Sequence, residues 1–568
     1  MVSQRKFEKL FEPFRLGQLE LKNRIVMPAM ATCLASEDGY VTERTLDYYE
    51  ERARGGVGLI IVGEAIIEVP RGLEGPRRIA IGDEHVPGLT KLAEIIKKHG
   101  ARAAFQLNHG GGFAVSSTTG LQPIAPSAVI CRPGGELPRE LTVDEIQDLV
   151  QRFAGAAERA KRAGFEGVEI HATGSYLIKQ FLSPAQNKRT DDYGGILANR
   201  ARFLLEIMAA VRERVGPGYP LWVRVSGRGY GIGNGFTAPE DVLQLSKMLE
   251  KAGACAINVN NHASKYPFNR MVEPEGNALI FAEAVKKVVS IPVIAVGRIT
   301  PEVGEKALAE GKADLVAIAR GLLADPELPN KAASGRLDDI VPCITCLVCG
   351  TMSRLGEAGC TVNPALGKER EFRITLAEKV KRVLVVGGGP AGMQAAIMAA
   401  RKGHRVMLYD KQKRLGGQLR LAARVPNRDR IDNLVSYLSH QVVKRGVEVK
   451  LGKEVTLGLV ESLKPDVVIL ATGSRLNFLR RIAEAVAGLL AGGQFTSMEE
   501  GGLLVKDLGA RRQPFGPHTL LLGASQPNQA LLRELQGKVP QIYLSGDCVT
   551  PYGIMEAMAS GTRVGLAV

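Results

Sequence analysis

The chain has 568 residues, 45% hydrophobic and 23% charged, with a formal net charge of +15. The length calls for about three or four domains. The balance excludes a disordered chain, a collagen and a disulfide scaffold. Aromatic residues make up only 5% and no long Lys/Arg tract occurs, which argues against nucleic acid and leaves the positive charge for an acidic partner or substrate.

No apolar run approaches the ~18 residues of a membrane-spanning helix, and Met1–Leu10 lacks the apolar core of a secretory signal. The eight cysteines are Cys33, Cys131, Cys255, Cys343, Cys346, Cys349, Cys360 and Cys548. Four crowd between positions 343 and 360. That spacing suits metal or cluster ligation in a reducing cytoplasm better than structural disulfides. The other four read as small apolar residues.

From the N-terminus, short β-branched runs alternate with longer amphipathic stretches. The runs are Arg24–Met27, Val57–Val62, Arg102–Leu107, Gly167–His171, Leu221–Val225, Ala256–Asn260, Pro292–Val296 and Leu315–Ala319. Between them, Thr142–Ala163 and Ala198–Val215 carry apolar residues at i, i+3 and i+4. Eight βα units predict an α/β fold with an N-terminal (β/α)8 TIM barrel over 1–335, its chemistry at the C-terminal strand ends. A cysteine segment, 336–378, follows.

A second unit starts near Lys379. The apolar run Val380–Val386 leads into Gly387-Gly388-Gly389-Pro390-Ala391-Gly392, a small-residue helix and a strand ending at Asp410. This is a dinucleotide-binding βαβ order: Gly387 makes the turn, Gly389 admits the pyrophosphate and Gly392 lets helix and strand approach. Asp410 is placed for a ribose hydroxyl. The Rossmann-like domain spans 379–474 and returns over 517–568, with strands expected at Thr519–Leu522 and Ile542–Leu544. Residues 475–516 show no nucleotide fingerprint.

Cys343-Ile-Thr-Cys346-Leu-Val-Cys349 and Cys360 supply four thiols for a [4Fe–4S] cluster, with tetrahedral zinc or free thiols as the other readings. Gly297-Arg298 and Ala319-Arg320, ending strands seven and eight, fit a phosphate cradle, although such arginines can also cap barrel helices. Beyond strand four, His171 is a candidate donor to a substrate oxygen and Tyr176 a candidate general acid. Gln106, placed after strand three, and Arg224, on strand five, are polar groups that a shared ligand would satisfy.

The stretches Leu21–Met30, Tyr49–Gly58, Phe181–Pro184 and Asn187–Gly195 resemble the old yellow enzyme superfamily. With the cysteine cluster and the second unit, the chain is similar to its multidomain branch of 2,4-dienoyl-CoA reductase, 2-enoate reductase and trimethylamine dehydrogenase. The resemblance implies FMN in the barrel, [4Fe–4S] at the boundary, and FAD or an ADP remnant beyond. It places Met30, Gln106 and Arg224 at the flavin, and Gly297, Arg298, Ala319 and Arg320 at its phosphate. Gly387, Gly389, Gly392, Asp410, Gln418 and Asp547 would hold FAD. It further implies hydride transfer to the β-carbon of an activated alkene, with Tyr176 giving a proton to the α-carbon.

Three departures stand out. Gly174 replaces a second polar residue of the strand-four motif, and His262 is a poor match for a substitute. The serine before Tyr176 is similar to the amine-dehydrogenase branch, but the single Trp222 reads as core rather than as part of an aromatic bowl. Only residues 475–516 lie where that branch carries a complete NAD(P)H-binding domain, so the domain is expected to be a reduced remnant. Electrons would then pass through an acidic protein partner. Alternative readings are an electron-transfer subunit of a redox complex and an amine dehydrogenase; a homo-oligomer is also compatible.

Overall fold

The eight β-branched runs of the first half close into a barrel. The computed structural model describes residues 7–132, 134–227, 239–260, 273–424, 427–476, 493–499, 502–507, 512–515 and 525–568. The barrel strands are β1 (Ile25–Met27), β2 (Leu59–Ile66), β3 (Arg102–Asn108), β4 (Val168–Ala172), β5 (Leu221–Ser226), β6 (Ile257–Asn260), β7 (Val293–Val296) and β8 (Leu315–Ala317). Each pairs in parallel with its sequence neighbours, and β8 and β2 both flank β1, which closes the ring. Strands buried on both faces need near-continuous apolar sequence; all eight residues of β2 are buried.

One irregularity positions chemistry. Along β2 and β3, Val62 pairs with Phe105 and Ala65 with Leu107, so Gly63 and Glu64 together oppose Gln106. This bulge re-aims the side chains beside it. Gln106, within the run Arg102–Leu107 although read as placed after the strand, lies inside β3.

Helices cover the barrel by their apolar stripes. In α1 (Val143–Arg162), Ile146, Leu149, Val150, Phe153 and Ala157 are buried at the helical spacing that marks a core-facing stripe. A reciprocal capping box starts it: Thr142 Oγ1 accepts from Glu145 N at 3.2 Å and Glu145 Oε2 from Thr142 N at 2.9 Å. Removing such a cap costs about 1 kcal/mol. Among the described residues no helix is long and apolar enough to cross a membrane.

The chain divides into two compact units, Met1–Glu371 and Phe372–Val568. In the second, β9 (Arg382–Val386), β10 (Arg405–Asp410), β11 (Glu448–Leu451), β12 (Val467–Leu470) and β13 (Gln541–Leu544) form a parallel sheet in the order β11–β10–β9–β12–β13. Within 475–516, the described strands Gly493–Glu499, Gly502–Asp507 and Arg512–Phe515 pair antiparallel. The strand expected at Thr519–Leu522 and the candidate His262 lie outside the described residues.

Candidate functional site

Inside the barrel the strand register assembles a polar layer. Glu169 on β4 stands beside Gln106 on β3 and Trp222 on β5. Its carboxylate is completely buried and accepts from Gln106 Nε2 at 2.5 Å, Trp222 Nε1 at 2.7 Å and Asn258 Nδ2 at 2.6 Å. Three donors compensate the loss of water that makes a lone buried carboxylate costly. Trp222 is thereby core, as its sequence position suggests, and its indole N–H is committed. Gln106 is held by one end of its amide, its Nε2 committed to Glu169.

One step toward the strand ends, Arg224 is registered against His171. Arg224 Nη1 donates to Ala29 O at 3.2 Å, next to the half-buried Met30. Burial, and then the Arg224 charge, push the His171 imidazole down to about 3, although Glu169 and Glu74 pull the other way. His171 is therefore neutral across the physiological range.

Tyr176 sits at the start of the short helix α2 (Leu177–Leu182). Its ring meets His171 edge-on, centroids 5.0 Å apart, and Phe113 at 5.6 Å. Its hydroxyl donates to Glu64 Oε1 at 3.1 Å, and Glu64 Oε2 accepts from Asn108 Nδ2 at 3.0 Å. His171 Nδ1 lies 3.2 Å from the same Oε2, without the alignment of a hydrogen bond. Burial first, then the Glu64 and Glu74 charges, hold the Tyr176 phenol well above its ordinary ionisation range. This is a protonated donor beside a neutral imidazole, an arrangement suited to general-acid chemistry.

Glu64 is absent from the sequence reading. Its signal is a charged residue inside the apolar run Leu59-Ile-Ile-Val-Gly-Glu-Ala-Ile66, where a polar residue without a function or a partner is costly. Gly174 also gains a physical account: its φ is +74° and a Cβ there would fall 2.9 Å from the Tyr176 ring. A larger residue there would have to displace the Tyr176 ring.

At the ends of β7 and β8, Arg298 takes a left-handed φ of 49° and Ala319 caps the short helix Arg320–Ala324. Arg320 Nη1 is buried with no hydrogen-bond partner among the described residues. A buried guanidinium nitrogen left unsatisfied fits a bound phosphate at this strand end.

The four crowded cysteines are free thiols, each half-buried. Cys349 lies in the helix Val348–Arg354. Burial and the Cys343 and Cys346 thiols push its thiol up while the Arg320 charge pulls it down. Burial, with Cys343 and Cys349, takes Cys360 up to about 12. Cys343 and Cys346 thus act on Cys349, and Cys343 and Cys349 on Cys360. Among the described residues, no three His, Cys, Asp or Glu side chains gather as around a single metal ion.

In the second unit the glycine turn packs closely at two of its three glycines. A Cβ on Gly387 would fall 2.2 Å from Ala471 O, and one on Gly392 1.8 Å from Gly387 O, while nothing lies within 4 Å at Gly389. The close packing needs the first and third glycines, and the second leaves open space at the start of α3 (Pro390–Arg401), where a pyrophosphate would fit. Asp410 accepts from Gly388 N at 2.6 Å and Gln412 N at 2.7 Å; carboxylate lone pairs remain for a ribose hydroxyl. Gln418 Nε2 donates to Ser474 Oγ at 3.2 Å, and Ser474 Oγ to Asp547 Oδ2 at 3.4 Å, so residues distant in sequence share one edge.

Comparisons with known proteins bear on both units. The profile described as the NADH:flavin oxidoreductase / NADH oxidase family matches residues 9–339, and that of pyridine nucleotide-disulphide oxidoreductases matches 381–513. An NADH oxidase of Thermoanaerobacter brockii is 45% identical over 480 residues, covering 82% of this chain and 73% of that protein. A cinnamate reductase of Clostridium sporogenes is 36% identical over 503 residues, covering 82% and 74%. The solved structure of 2-naphthoyl-CoA reductase with 2-naphthoyl-CoA superposes with a TM-score of 0.89 at 28% identity, covering 99% of this chain and 100% of that one.

Proposed function

The chain belongs to the NADH:flavin oxidoreductase / NADH oxidase family, and from that premise we propose that this flavoprotein oxidoreductase reduces the C=C bond of an α,β-unsaturated carbonyl or enoyl-CoA compound. The observation that carries the reading is Tyr176, a buried phenol held protonated beside the neutral His171. A proton donor of this kind serves a reaction in which a strongly basic carbanion must be quenched. The names of the cinnamate reductase and 2-naphthoyl-CoA reductase relatives point to the same substrate class.

FMN, when bound and reduced, supplies a hydride for the β-carbon of the alkene. The chain's residues do the rest. His171 offers a ring N–H to the substrate carbonyl, and Tyr176 gives its proton to the α-carbon. Gln106 and Arg224 orient the flavin ring, with Met30 alongside, while Gly297, Arg298, Ala319 and Arg320 hold its phosphate. We assign Cys343, Cys346, Cys349 and Cys360 to a [4Fe–4S] cluster. Gly387, Gly389, Gly392, Asp410, Gln418 and Asp547 are assigned to FAD, which with the cluster would supply electrons for the FMN.

The donor to FAD is read as an acidic protein partner, supported by the net charge of +15 and by the antiparallel strands within 475–516. Rapid, saturable reduction of the FAD by stoichiometric NADH or NADPH would overturn that reading. Trp222, committed to Glu169, lines no bowl for a methylated ammonium, which counts against the amine-dehydrogenase alternative.

The test of the reaction is anaerobic mixing of the dithionite-reduced protein with enones, cinnamates and enoyl thioesters. Flavin reoxidation with formation of the saturated product is expected. Reoxidation by none of them would sink the ene-reductase reading and favour an electron carrier.

A further inference from the structure

The ring contacts at the barrel mouth continue past Tyr176. Phe113 meets the Tyr176 ring edge-on, and the guanidinium of Arg132 lies over the Phe113 ring, 4.3 Å from its centroid. His171, Tyr176, Phe113 and Arg132 thus form a run of contacts that begins at the candidate proton donor and its neighbour and ends in a cation.

A guanidinium stacked on a ring uses its flat face and keeps its in-plane N–H donors for a planar acid. Among the described residues, the Arg132 side chain has this ring as its contact and no hydrogen-bond or ion-pair partner. Other arginines of this part of the chain are spent, Arg139 on Glu145 and Arg189 on Asp191 and Glu140. Glu136, close in sequence, accepts from Ser116 N at 2.9 Å.

A second cation is tied to the same loop. Lys179, on α2, is 4% exposed. Its Nζ donates to Gln186 Oε1 at 2.9 Å, and Gln186 Nε2 donates to Cys131 O at 3.4 Å, so Gln186 joins Lys179 to the residue before Arg132. Burial pushes the Lys179 ammonium down to about 8, with only the Cys131 thiol pulling it up. Two positive groups are left here without acidic partners among the described residues, so an anion brought by a ligand is favoured.

We infer that Arg132 is a specificity-determining residue that binds an acidic group carried by the substrate away from its reacting alkene, at the Phe113 end of this run of contacts. The inference rests on the alkene-reductase reading and narrows its substrate class to unsaturated carbonyl compounds bearing a remote carboxylate or phosphate. With the carbonyl at His171 and the α-carbon at Tyr176, the part of the substrate between alkene and acid lies along Phe113, which suits a flat spacer. Arg132 moves no proton or electron. It supplies binding that is equal before and during the reaction, and so acts on KM rather than kcat.

The test uses the FMN-loaded, oxidised protein, in which a ligand over the flavin perturbs its visible absorbance. The probes are para-carboxybenzylideneacetone, whose carboxylate lies one phenyl ring from the alkene, and its methyl ester. The acid is expected to bind about tenfold or more tightly than the ester. Arg132→Gln abolishes that preference while leaving the ester's affinity near wild type, and Arg132→Lys, which keeps the charge but not the fork, recovers part of it. A second pair, crotonyl-CoA and the crotonyl thioester of N-acetylcysteamine, separates the sources of the anion. A preference for crotonyl-CoA that Arg132→Gln removes assigns the guanidinium to a phosphate; a preference within the first pair alone assigns it to a carboxylate. Equal affinities within both pairs, a preference that survives Arg132→Gln, or no flavin perturbation by any of the four compounds would overturn the inference.

Failure of the reaction is read separately. In steady-state turnover with dithionite as reductant, the acid and its ester should differ in KM with little change in kcat. If the acid is preferred in binding but no alkene reoxidises the reduced flavin, the reductase reading fails and the anion site at Arg132 stands.

Discussion

Gly174 lies beneath the ring of Tyr176, so close that a Cβ on it would fall 2.9 Å from both Cδ2 and Cε2. Its left-handed backbone, at φ +74°, adds a second reason for glycine, since an L-residue there costs about 1–2 kcal/mol. Gly174→Ala therefore displaces the Tyr176 ring as well as straining the loop. Alkene-dependent flavin reoxidation is expected to fall about tenfold or more, since small misplacements of a reacting group cost that much. FMN is retained, because the barrel interior is untouched. Stopped-flow reoxidation beside flavin extraction checks this, and an unaltered rate would show that Tyr176 does not depend on its seat.

The same pair shows how far the sequence could be read. The barrel was legible because strands buried on both faces leave apolar runs, and the dinucleotide turn because its glycines are local. For Glu64 the sequence shows a charge inside an apolar run but not its role, because its partner Tyr176 is 112 residues away. Gly174 read as a missing catalytic residue because only the folded chain shows the ring above it. The donors to Glu169 are equally non-local, coming from three different strands.

Glu169 is the anchor of the polar layer inside the barrel. Its removal in Glu169→Ala strands the Gln106, Trp222 and Asn258 donors in the barrel interior. Loss of a buried charged partner is expected to destabilise by about 3–5 kcal/mol. The urea midpoint of the barrel drops accordingly, and FMN affinity falls because Gln106 loses its fixed orientation. Glu169→Gln keeps acceptor and shape and recovers part of both. A wild-type midpoint in Glu169→Ala would contradict the three-donor account.

His171 makes stability depend on pH with a definite sign. Its folded value is pushed down to about 3 from 6.5, so between those limits the unfolded chain binds a proton that the folded chain does not. The stability tied to neutral His171 is complete above 6.5. It declines as pH falls toward 3, by up to about 1.4 kcal/mol per pH unit. His171→Asn abolishes this contribution while other carboxylates keep theirs. Urea midpoints at about pH 7.5 and pH 5 should therefore differ less in the variant than in the wild type. Equal differences would mean that His171 is protonated in the folded protein.

In the second unit, two glycines separate a packing role from a cofactor role. A Cβ on Gly392 would lie 1.8 Å from Gly387 O, whereas Gly389 has nothing within 4 Å. Gly392→Ala is accordingly expected to unfold the βαβ turn, lowering the thermal midpoint of the domain along with its flavin content. Gly389→Ala leaves the fold intact, because its Cβ meets no protein atom. That Cβ enters the space read as the pyrophosphate cradle, so FAD affinity falls about tenfold or more while circular dichroism and the melting midpoint stay close to wild type. Denaturing extraction, which separates FAD from the barrel's FMN, gives the readout. Full FAD content in Gly389→Ala would remove the pyrophosphate from this cradle. Equal unfolding of both variants would make the fingerprint a packing device alone.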